Sequence, residues 1–139
     1  MKIGEWDSLG RARALLQRQL GELDANELAT HVTANPENGR QRILVATDVG
    51  LLDYSWAPSG SGGDDWLLRG SLYRWRSVRG LRLQTDAQLG DDPRETRSIW
   101  RLVSEDPKLE LAADSIGLER EAVDALLAFA RACLQHASG

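Results

Sequence analysis

Cysteine is almost missing from this 139-residue sequence, where Cys133 stands alone. A single thiol excludes an intrachain disulfide and a thiol-only zinc site, and it suits a reducing, cytoplasmic setting. Histidine is limited to His31 and His136. One falls in a predicted strand and the other near the C-terminus, so no paired-His catalytic or metal centre is expected. Lysine is reduced to Lys2 and Lys108 against fifteen arginines. Acids outnumber bases 21 to 17, a formal net charge of −4. That balance argues against a general nucleic-acid binder, which carries a basic excess against phosphate. No apolar run approaches the roughly 18 residues of a membrane span. The opening MKIGEWDSLGRARALLQ has no apolar signal-peptide core. A cytoplasmic location is therefore the expectation.

Hydrophobic residues at 42% and charged residues at 27% describe a folded globule rather than a disordered chain. The spacing predicts a helix over 7–20. Leu9, Ala12, Leu15, Leu16, Leu20 and Leu23 form its apolar stripe, Asp7 or Ser8 caps its start, and Gly21 ends it. Alternation predicts a hairpin of two strands over 41–58 and further strands at 27–34, 66–73, 80–89, 97–104 and 108–113. Thr47-Asp48-Val49-Gly50 is turn chemistry: Asp bonds backbone two residues on, and Gly supplies a positive φ. The segment 59–65 reads as a mobile surface loop, and 74–79 breaks alternation and predicts a bend. From 119 to 137 the period becomes helical. Ala122, Val123, Leu126, Leu127, Ala130, Cys133, Leu134 and Ala137 form the apolar face, with Phe129 at its edge.

Seven strands closed by one amphipathic helix resemble the pleckstrin-homology-like superfold, and three stretches are similar to its bacterial and GRAM-type members. These are Ile43–Asp48 followed by Leu51-Leu52, then Leu72-Tyr73-Arg74-Trp75-Arg76-Ser77-Val78-Arg79-Gly80-Leu81, and the terminal helix with Ala125, Leu126, Phe129 and Ala130. The resemblance implies an α+β, mainly β protein: a seven-stranded antiparallel barrel or sandwich capped by the C-terminal helix, over residues 23–139. Residues 1–22 are a helical extension. The implied work is binding without catalysis or cofactor, with a protein or peptide as partner. Anionic lipid headgroups are the alternative, self-association is a further expectation, and an unrecognised enzymatic site is a third reading.

Three groups of residues are candidates for recognition. Arg40 and Arg42 flank the first hairpin, where phosphoinositide-binding members of the superfold carry a basic pair; guanidinium forks match phosphate oxygens. A solvated surface pair is the plainer reading. Arg69, Arg74, Arg76, Arg79 and Arg82 form a run with no acid before Gln84. They suit an acidic peptide, an anionic surface or a second copy, unless Asp64-Asp65 and Asp91-Asp92 neutralise them from the same chain. If 74–76 is extended, Arg74 and Arg76 point opposite to Trp75. Trp56, Trp75 and Trp100 are expected in the core. Trp66 and Trp6 are candidates for exposure, as a partner anchor or a helix staple. Cys133 sits on a buried helix face, and neither Asp pair has the ligand count of a calcium loop.

Overall fold

Alternating apolar residues produce seven antiparallel strands in the computed structural model, which describes residues 1–59, 65–116 and 120–137. They are β1 (Glu27–Ala34), β2 (Gln41–Thr47), β3 (Leu51–Pro58), β4 (Trp66–Tyr73), β5 (Arg82–Gln88), β6 (Arg97–Ser104) and β7 (Leu109–Ile116). Two helices accompany them, α1 (Ala12–Leu23) and α2 (Glu121–Ala137). The protein is thus α+β and mainly β. The strands form two hydrogen-bonded sheets, β1-β2-β3-β4 and β5-β6-β7. Among the described residues they do not close into the expected barrel, since β4 and β5 each end a sheet. Between β4 and β5 the backbone forms a 3-10 turn at Trp75–Ser77. Most of the loop expected at 59–65, including Asp64, and the helix start expected at Glu119 lie outside the described residues. Among the described residues no helix is long and apolar enough to cross a membrane.

The chain divides into two compact units, residues 1–74 and 75–139. In the first, register sets Val32, Ile43 and Tyr54 side by side on one sheet face, with Val45 and Leu52 in the next row. The N-terminal segment covers that face with Ile3, Leu9, Ala12, Leu16 and Leu20. Each fully buried Leu or Ile contributes roughly 1.5–3 kcal/mol before ordering entropy is subtracted. The buried row of α1 is narrower than the predicted stripe. Ala12, Leu16 and Leu20 recur at intervals of four, and Leu15 and Leu23 fall beside that row and remain exposed. Gly21 does not end the helix. It continues to Leu23, and Asp24 takes the left-handed conformation (φ 56°) that closes it. The start also differs, because Asp7–Leu9 is a 3-10 turn and α1 has no side-chain cap.

The same N-terminal segment seals the outer edge of β1. The Thr30 N–H donates to the Met1 carbonyl at 2.7 Å, and Trp6 Nε1 donates to the Thr30 carbonyl at 3.0 Å. Unpaired edge groups are thereby satisfied. At the β2–β3 turn the organiser is Thr47, not Asp48. Its Oγ1 donates to the Gly50 carbonyl at 2.7 Å and accepts from the Val49 and Gly50 N–H groups. Asp48 instead accepts from the Asn26 backbone and side chain, which lowers its pKa and ties this turn to the α1–β1 connector. Gly50 is not among the glycines with positive φ. It is required by crowding, because a Cβ there would lie 2.4 Å from the Tyr73 carbonyl oxygen.

Gly70 has a similar role in packing. A Cβ at Gly70 would lie 2.3 Å from Cδ1 of the buried Tyr54 ring, its direct cross-strand neighbour. Gly70→Ala is expected to cost about 1–3 kcal/mol by displacing that ring. The check is a lowered urea midpoint at unchanged m-value.

In the second unit α2 packs on β6 and β7. Its buried side is Val123, Ala125, Leu126, Phe129, Ala130 and Cys133. Phe129, expected at the edge, is at the centre and fully buried, whereas Ala122 is exposed. Turning the ring inward buries more apolar area than turning the alanine inward. β7 runs three residues beyond its expected end. Leu109, Leu111, Ala113 and Ser115 continue one buried row, and the polar Asp114 and Ser115 conceal that continuation in the sequence. Trp100, expected in the core, is half-buried.

Candidate functional site

The loop between β1 and β2 is held by its asparagines. Asn35 Oδ1 accepts from the Glu37 N–H, Asn38 Oδ1 accepts from the Arg40 N–H, and the Asn35 N–H donates to the Arg40 carbonyl. Gly39, at φ 74°, completes the reversal. Arg40 is thus delivered, exposed, at the foot of β2. Beside it lies an open groove of about 800 Å³ lined by Thr33, Asn35, Glu37, Arg40, Arg42, Ser55 and Trp56 among others.

Register brings Thr33, Arg42, Ser55 and Arg69 into one row across β1, β2, β3 and β4. Directly opposed residues share a face, so Arg42 and Arg69 stand on the same side, two strands or roughly 10 Å apart. Arg42 is clamped from the neighbouring row: Nε and Nη2 donate to Asp53 Oδ1 and Oδ2 at 3.0 and 2.8 Å. These bonds raise the Arg42 pKa further and fix the guanidinium plane. Arg40 and Arg69 differ. Both are exposed, and among the described residues neither has a carboxylate within ion-pair distance.

Trp66, the aromatic candidate, is not free at the surface. It is half-buried against Trp56, with ring centroids 5.7 Å apart, and it belongs to the core of the first unit. Trp6 is likewise half-buried and packed against the same core, acting as a staple at the β1 edge.

The arginine run is divided between the two units. Arg69 and Arg74 belong to the first unit, and Arg76, Arg79 and Arg82 to the second. All five are exposed and make no ion pair among the described residues. The bend expected at 74–79 is present as the 3-10 turn Trp75–Ser77, so the extended alternative for 74–76 does not apply. Trp75 is buried and stacked on His136, with centroids 5.7 Å apart and planes at 27°. Arg79 is held through its backbone, which bridges to Asp106. Asp92 does not reach the run; it pairs with Arg94 in its own loop.

Cys133 and His31 are engaged in packing. Burial pushes the Cys133 thiol up to about 12 and the His31 imidazole down to about 4. Among the described residues no group of three His, Cys, Asp or Glu side chains could hold a metal ion. The sequence reading missed Asp53, which sets Arg42, and Ser55, which joins Arg42 to Arg69. Both are polar positions alternating with Leu52, Tyr54 and Trp56, but only the strand register reveals their neighbours. Compared with protein-family models, with curated proteins and with solved structures, the chain matches none.

Proposed function

We propose that the chain is a non-catalytic, cytoplasmic binding module on a pleckstrin-homology-like scaffold, and that it receives an acidic peptide segment of another protein. Support for the scaffold is the order of elements: four antiparallel strands, then three, then an amphipathic helix packed on the last two. Support for the ligand is one observation. Arg40 and Arg69, both exposed and without an ion pair among the described residues, accompany the Asp53-clamped Arg42: Arg40 lies two residues before it in the chain, and Arg69 lies in its row with Thr33 and Ser55. An extended chain with spaced carboxylates meets that row of charges and donors one group at a time. An anionic headgroup would use the same Arg40 and Arg42. Two carboxylates, Glu37 in the groove and Asp53 on Arg42, oppose a clustered phosphate charge there.

The test is fluorescence anisotropy with a labelled Glu/Asp-rich peptide, alongside sedimentation with phosphatidylserine vesicles. The peptide binds, added salt weakens it, and Arg40→Glu with Arg69→Glu weakens it about tenfold or more at unchanged melting temperature. Peptide affinity indifferent to both substitutions would overturn the proposal. Vesicle binding without peptide binding would replace it with the lipid reading.

A further inference from the structure

The two sheets treat their outer edges differently. Residues 1–6 cover the β1 edge. β5 is the terminal strand of the second sheet, six of its seven residues are exposed, and it contains no proline. A strand of this length with an open edge is a template for another strand. The side chains of β5 indicate which strand fits. Arg82, Gln84 and Asp86 share one face, opposite to Leu83. Arg82 has no ion pair among the described residues, and Asp86 is well exposed while bonding Arg101 Nη1 through Oδ2 alone.

We infer that β5 pairs with β5 of a second copy, antiparallel about a two-fold axis through Gln84. That register sets Arg82 of each copy opposite Asp86 of the other, twice by symmetry. Asp86 then lies between Arg101 of its own sheet and Arg82 of the partner. Leu83 faces Thr85 on the other side, and two three-stranded sheets become one. The β4 edge has no such self-complementarity, because Arg69 is its one charged residue. The inference concerns the second unit and does not depend on the peptide reading.

Size-exclusion chromatography with light scattering on the full chain tests it across a concentration series. The wild type is expected to approach the mass of two chains, and Arg82→Glu and Asp86→Arg each to weaken association about tenfold or more. Each single substitution opposes like charges across the axis. An equimolar mixture of the two variants pairs opposite charges at both positions and is expected to restore a dimer. Unchanged far-UV circular dichroism shows that the variants are folded. A wild type that stays monomeric at every concentration, a dimer that survives both single substitutions, or a mixture that stays monomeric would each overturn the inference.

Discussion

Phe129→Ala is expected to lower stability by about 3–5 kcal/mol. The ring is fully buried at the centre of the α2 face that packs on β6 and β7, with Leu102, Leu111, Leu126 and Cys133 also buried in that unit. Truncation removes the transfer energy of the ring and leaves a cavity that close-packed neighbours only partly fill. The loss should appear as a lower denaturant midpoint, with a faster unfolding rate wherever the helix docks after the transition state. Leu89→Ala is the control. Leu89 is 92% exposed, so its truncation should change stability by no more than about 0.5 kcal/mol. Equal effects from the two substitutions would show that α2 does not carry the core of its unit.

Acid should destabilise the first unit through His31. Burial lowers its pKa from 6.5 to about 4. The ring lies edge-on to Trp6, with centroids 5.7 Å apart, in the sheet row that contains Leu44 and Asp53. Between those two pKa values the unfolded chain takes up a proton that the folded chain refuses, so stability rises with pH across that window. The contribution is fully present above 6.5 and is lost as pH falls toward 4. Its size is about 3 kcal/mol at 1.36 kcal/mol per unit. Urea denaturation at several pH values measures the slope. In His31→Gln the extra dependence between pH 6.5 and 4 should vanish, leaving that of the carboxylates. A slope identical in the variant would show that His31 titrates normally.

Burial on one side writes alternation into the sequence along β3 and β7, whereas β2 buries five consecutive residues and β5 exposes six of seven. β1, β3, β4 and β6 begin and end where the alternation of Leu, Val, Ile and Trp begins and ends. Details that depend on a distant neighbour were not legible. Gly50 and Gly70 are small because Tyr73 and Tyr54 lie across from them, a fact of register rather than local sequence. The centre of the α2 face was misplaced because a ring and a row of alanines both fit a helical period. The site was partly legible. Arg40, Arg42 and Arg69 stand out as unusual charges, but their grouping depends on β2 and β4 flanking β3, and the division of the arginine run at 74/75 has no marker in the sequence.

Ile3, Leu9, Leu16 and Leu20 form one side of a shared interior with Val32, Ile43, Val45 and Tyr54. The first twenty-odd residues are therefore no detachable appendage. Without them the four-stranded sheet would offer water a broad oily surface bordered by bare amides, the state from which chains clump rather than refold. Trimming the protein for expression, or grafting it onto another, should leave that stretch in place.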